Sequence, residues 1–149
     1  GDVDELWNPN DLDWVENEKW NKVHKLKLAV YSYYLNNKSN EEFWGTVIAP
    51  YGLIKNKCLN HIRTNPDWRT SENFGWHFTS MGGSSILRKK LTDSYTEESY
   101  ATKEVLDNLE NNISENRDFL GRNFSYKIDE SQWPQYLKNN REKYKHLLK

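Results

Sequence analysis

The sequence predicts a mixed α/β fold on three observations. Three runs rich in β-branched and aromatic residues read as strands: Lys25–Leu35 (KLKLAVYSYYL), Phe43–Ala49 (FWGTVIA) and Phe74–Thr79 (FGWHFT). Apolar residues at Tyr100, Val105, Leu106, Leu109 and Ile113 recur near helical spacing. Pro50-Tyr51-Gly52, Gly82-Gly83 and repeated Asn pairs punctuate the chain between these runs.

Each element follows from its local chemistry. Asn8-Pro9-Asn10 is a turn, and Asn10 or Asp11 is placed to cap a short helix through about Trp20. The first strand alternates over Lys25–Leu35, and the second ends at Pro50. Leu53–Ile62 reads as a helix, and the polar, Pro-containing stretch Thr64–Asn73 as a loop. After the strand Phe74–Thr79, Ser84 or Ser85 caps a helix carrying Ile86, Leu87 and Leu91. A helix over Glu97–Asn112 follows, then a short strand within Phe124–Ile128. Pro134 opens a basic amphipathic helix that runs to Lys149.

The 149 residues suit a single unit of ordinary size, 1–149. Only 36% of them are apolar, yet 14% are aromatic, which argues against disorder and means that rings must build much of the core. The formal net charge of −1 argues against a nucleic-acid partner or a polybasic membrane anchor. The single cysteine, Cys58, rules out an internal disulfide framework and a Cys-based zinc site. No apolar run approaches the roughly 20 residues of a membrane helix.

Four motifs carry candidate chemistry. Asp2 and Asp4 in Asp2-Val3-Asp4-Glu5 are spaced i, i+2, so an extended backbone turns both carboxylates to one side, where hard oxygens suit Mg²⁺ or Mn²⁺. A solvated acidic segment is the plainer reading of the same residues. In Gly75-Trp76-His77-Phe78-Thr79-Ser80-Met81-Gly82-Gly83, His77 is a candidate metal ligand, and Trp76 and Phe78 are candidate sugar-facing rings. Gly82 and Gly83 permit close backbone approach to a ligand. A core strand ending in a glycine turn explains the string equally well. Arg122, just past Gly121, can offer a planar fork to phosphate, or can simply close a helix end. Asp93, Glu97 and Glu98 are candidate general bases, with Glu72 as a further one; Ser94 or Thr96 equally suits a helix cap there.

In this order the motifs resemble the family 17 glycosyltransferases, of the β-1,4-mannosyl-glycoprotein β-1,4-N-acetylglucosaminyltransferase type. GWHFTSMGG at residues 75–83 is the most specific piece. Asp2-Val3-Asp4-Glu5-Leu6 resembles the family's D-x-D-E segment. Tyr31–Asn36 with Trp44-Gly45 is similar to its aromatic strand region. Asp118–Arg122, Ile128-Asp129 and Trp133–Leu137 are similar to its C-terminal end. One departure lies in SYTEESY, where many relatives carry a His-x-Glu pair.

The resemblance implies a GT-A-like α/β fold, a mixed sheet flanked by helices. It implies metal-dependent inverting transfer of a sugar, typically N-acetylglucosamine, from a UDP-sugar donor to a glycan acceptor. Asp2 and Asp4 would hold Mn²⁺ or Mg²⁺, with His77 completing the shell. Glu5, Trp76, His77, Phe78, Gly82, Gly83 and Arg122 would bind substrate, and Asp93, Glu97 or Glu98 would act as base. The D-x-D lies mid-domain in the family. The chain is therefore expected to be the C-terminal half of such an enzyme, without the nucleotide-binding half and inactive alone. Its Lys/Asn-rich style suits a bacterial or viral cytoplasmic enzyme, with a Golgi setting only if an anchor precedes it. The alternative is a non-catalytic glycan-binding or interaction module.

Overall fold

The computed structural model describes residues 1–11, 22–94 and 100–149. It is mixed α/β, as predicted. Strands are β1 (Glu5–Trp7), β2 (His24–Ser32), β3 (Asn37–Ile48), β4 (Arg69–Thr79) and β5 (Tyr126–Ile128). They form one sheet in the order β1-β4-β2-β3-β5. Helices are α1 (Tyr51–Ile54), α2 (Leu59–Thr64), α3 (Gly83–Ser94), α4 (Lys103–Ser114) and α5 (Gln135–Asn139), with 3₁₀ turns at Pro9–Asp11, Pro66–Trp68 and Arg141–Leu147. β1 lies antiparallel to β4, and β3 antiparallel to β5. β2 and β4 run the same way: Lys27 donates its amide to Thr70 Oγ1, and six residues on Tyr33 donates its amide to the Thr79 carbonyl. The sheet is therefore mixed.

The chain divides into two compact units: residues 1–29 with 42–77, and residues 30–41 with 78–149. The long strands β2, β3 and β4 each contribute residues to both.

In the first unit, the alternation of β2 buries Leu26 and Leu28 with Phe74 of β4, and Trp7, Phe43 and Ile48 pack on them. Fully burying one such side chain stabilises the fold by about 1.5–3 kcal/mol. The expected helix over Leu53–Ile62 is instead two short helices, because Cys58 is extended (φ −65°, ψ 128°) and begins the second. Of α2 only Ile62 is buried, and it fixes the helix and hence the position of its neighbour Arg63.

In the second unit, Leu87 and Leu91 of α3 meet Leu109 and Ile113 of α4 around Tyr33 and Tyr126. The expected ring-built core is present: Tyr31, Tyr33, Tyr126 and Trp133 are all buried. α4 starts at Lys103 rather than Glu97, capped by the Thr102 hydroxyl, which accepts from the Val105 amide at 3.3 Å. Of the caps expected here, Ser94 ends α3 and Thr96 lies outside the described residues. At the C-terminal end, the single long helix is replaced by α5 and a 3₁₀ stretch, broken at Asn140 (φ −122°, ψ 27°). Trp133 donates its indole N–H to the Leu35 carbonyl at 2.7 Å, and the Leu35 amide donates to Leu147. Most of the expected helix over residues 11–20 lies outside the described residues.

Candidate functional site

The candidate site is built on the pairing of β1 with β4. Glu5 stands opposite His77, Leu6 opposite Trp76 and Trp7 opposite Gly75. Two segments about 70 residues apart in sequence thus lie side by side. Opposed residues in an antiparallel pair share a face, so Glu5 and His77 project together. Gly75 makes the approach possible. A Cβ there would lie 2.0 Å from the Leu6 carbonyl oxygen, and its φ of +154° is one that residues with side chains rarely adopt.

The Glu5 side chain is fully buried, 0% exposed. Thr46 donates its hydroxyl to Glu5 Oε2 at 2.8 Å, and Arg63 Nη2 reaches Glu5 Oε1 at 3.4 Å. Asp2 and Asp4 sit on the turn before β1, closed by the Glu5 amide donating to the Asp2 carbonyl at 3.1 Å. The turn replaces the extended backbone expected for this segment, and the two carboxylates take different partners. Asp2 is gripped by Arg63: Nη1 donates to Oδ1 at 3.0 Å and Nη2 to Oδ2. That hydrogen bonding first of all, with the guanidinium charge, holds the Asp2 carboxyl below its usual range against the effect of desolvation.

Asp4 faces His77 instead, with Oδ2 3.9 Å from Nε2. The His77 ring packs against Phe43, the ring centres 4.1 Å apart, and its Nδ1 is buried without a hydrogen-bond partner. Burial lowers the His77 pKa, and the nearby charges of Asp4, Glu5 and Asp2 offset only part of that. Burial thus favours the neutral imidazole.

The donor set is of types that divalent ions take: two carboxylates and one imidazole, that of His77, whose Nδ1 is orphaned. It is not assembled. Among the described residues, no group of three or more His, Cys, Asp or Glu side chains is arranged to hold a metal ion. Asp2 is instead held by Arg63. Sequence reasoning missed Arg63; a lone Arg in a polar helix carries no motif.

Trp76 is buried, so little of its face is open to a ligand. Phe78, Gly82, Gly83 and Arg122 lie in the second unit, and each is engaged with a neighbour. Phe78 stacks on Tyr31 with ring centres 5.3 Å apart. Gly82 and Gly83 both donate their amides, at 3.0 Å, to the Tyr33 carbonyl, and their positive φ values (99° and 75°) form the turn into α3. A Cβ at Gly83 would meet the Tyr34 hydroxyl at 2.9 Å. Arg122 donates through Nε and Nη2 to the two oxygens of buried Asp118, at 2.9 and 2.7 Å, and lies over the Phe124 ring. Asp93 is exposed near the end of α3, where Thr92 donates to its Oδ1. Glu72 is exposed on β4. Glu97 and Glu98 lie outside the described residues.

No family model matches the chain, and no curated protein or solved structure matches it either. Among the described residues, no helix is long and apolar enough to cross a membrane.

Proposed function

We propose that the chain belongs to a metal-dependent inverting glycosyltransferase with a GT-A-like fold. It would transfer a sugar, N-acetylglucosamine first, from a UDP-sugar to a glycan acceptor, in a bacterial or viral cytoplasm. The observation that supports this most is the register of β1 on β4, because the two segments carrying the family resemblance, D-V-D-E and G-W-H-F, are direct neighbours.

In this reading Asp4, His77 and Asp2 would hold Mn²⁺ or Mg²⁺. The ion would supply charge neutralisation for the leaving nucleoside diphosphate. Glu5, fixed by Thr46 and Arg63, braces the turn that carries both aspartates. Inversion needs one base for the acceptor hydroxyl. Asp93 and Glu72 are exposed carboxylates available for that role, alongside Glu97 and Glu98. Arg122 serves the fold through Asp118, and its phosphate role carries the least support. The glycan-binding alternative also draws little, since Trp76 is buried and Phe78 is stacked on Tyr31.

The test is UDP release from UDP-N-acetylglucosamine with Mn²⁺ in the intact enzyme. Asp4→Ala should lower turnover by about a hundredfold or more. Unchanged turnover rejects the metal assignment.

A further inference from the structure

Lys25 and Lys27, two apart on β2, project to the same side of the sheet. Lys27 is paired with Glu42 at 2.6 Å and lies over the Trp44 ring, 5.2 Å from its centre. Arg69, at the start of β4, lies over the same ring at 4.4 Å. The strands meet here: the Lys27 amide donates to Thr70 Oγ1, and the Trp44 indole N–H donates to the Thr70 carbonyl at 2.9 Å. All of these residues belong to the first unit. Lys25 is only 3% exposed, while Arg69 is exposed. Burial first, then the charges of Arg69 and Arg63, lower the Lys25 pKa, so both guanidinium groups stand within electrostatic reach of its ammonium. Asp2 and Glu5 already neutralise Arg63. Among the described residues, neither Lys25 nor Arg69 has a carboxylate partner. Two positive charges therefore remain uncompensated, one of them buried, and a buried charge is costly unless an opposite charge joins it.

We infer that Lys25 and Arg69 form a binding site for a phosphate group, with Trp44 steadying the Arg69 guanidinium. The charge count selects the ligand. A carboxylate would offset one of the two free charges, whereas a phosphate group carries about −1.5 to −2 near pH 7 and offsets both. Arg69 supplies a planar fork for two phosphate oxygens, and Lys25 a point charge for a third. Lys27, already neutralised by Glu42, flanks the site without adding to its charge. The inference is independent of the metal reading, because it uses none of Asp2, Asp4 and His77.

Titration calorimetry of the 149-residue chain with inorganic phosphate, in buffer containing a metal chelator, tests this. Lys25→Met and Arg69→Gln should each weaken binding about tenfold or more. Lys57→Met removes an exposed lysine elsewhere in the same unit and should leave binding unchanged. Phosphate should raise the melting temperature of the wild type and leave that of Lys25→Met where it was. In phosphate-free buffer Lys25→Met should melt no lower than the wild type, since an apolar chain replaces an unpaired buried charge. Uridine diphosphate serves as a second probe: tighter binding than inorganic phosphate assigns the site to an esterified phosphate, and equal binding to the phosphate group alone. No phosphate binding by the wild type at about 10 mM overturns the proposal. So does binding that survives both Lys25→Met and Arg69→Gln, or acetate binding as tightly as phosphate. A clear loss of stability in phosphate-free Lys25→Met would show that the ammonium already has a partner, and would overturn it as well.

Discussion

Gly45 provides the space that the Glu5 carboxylate fills. A Cβ at position 45 would lie 2.2 Å from Glu5 Oε1 and 2.5 Å from Phe43 Cε1. Glu5 is in turn held by Thr46, the next residue along β3. The glycine is needed here for room.

The first prediction follows from that fit. Gly45→Ala should destabilise the protein by about 1–3 kcal/mol, the usual cost of overpacking. Adding Glu5→Ser should recover part of the loss, so the double variant falls short of the sum of the singles. Urea denaturation of all four proteins reads the coupling. Simple additivity would show that the two residues do not share the space.

Gly75→Ala should be more damaging. The new Cβ meets backbone, the Leu6 carbonyl, which has no side-chain freedom with which to yield. A loss of about 2–4 kcal/mol or a local parting of β1 from β4 is expected. Amide chemical shifts of Glu5, Leu6 and Trp7 should move together. A variant that keeps both its stability and those shifts contradicts the register Trp7 opposite Gly75.

The Arg122–Asp118 pair gives a third. Burial pushes the Asp118 carboxyl up, but the hydrogen bonds and charge of Arg122, with the amides of Arg122 and Leu120, bring it below its ordinary value. Arg122→Ala leaves that buried carboxylate without its charged partner. The Tyr126 hydroxyl, 3.2 Å away, does not replace it. A cost of about 2–3 kcal/mol is expected, at the lower end for a buried pair because Arg122 itself is half exposed. Thermal unfolding at pH 7 measures it, and a shift within error would mean that Asp118 finds another donor.

Acid should reveal Asp129. Ser131 donates its hydroxyl and its amide to Oδ1, and Lys127 and Lys38 approach Oδ2 at 3.3 and 3.6 Å. The Ser131 hydrogen bonds chiefly, with Lys127 and Lys38, lower its pKa to about 2. A folded value below the unfolded one, about 3.9, gives stability that is fully present above about pH 4. That stability is lost as pH falls through about 2. Asp129→Asn should therefore cost about 1–2 kcal/mol at pH 7 and much less near pH 2. A cost that does not change with pH would remove the electrostatic explanation.

What could be read from the residues, and what could not, divides along physical lines. The core of β2 was legible because Leu26, Leu28 and Val30 alternate and are buried. The first half of β3, Asn37–Glu42, and the start of β4, Arg69–Asn73, were not. Their residues are polar, and backbone pairing rather than apolar alternation makes them strands; Asn37 and Ser39 are buried opposite Ile128 and Tyr126 of β5. Thr102 was missed as a cap because the apolar spacing around Tyr100 extends past the true start of α4. In the candidate site, Asp4 and His77 were foreseen and are neighbours. Arg63 was not, since its importance comes from the docking of α2. Gly82 and Gly83 were recognised as unusual, but a ligand cradle and a turn clamp require the same residue type.

The clamp leaves a trace in solvent exchange. Both glycine amides end on one carbonyl, that of Tyr33, just past the end of β2. Their protons should pass to deuterated water only when that junction opens, and together, since one event frees both. The loop from Ser80 to Gly83 therefore behaves, on the clock of exchange, as an extension of the sheet.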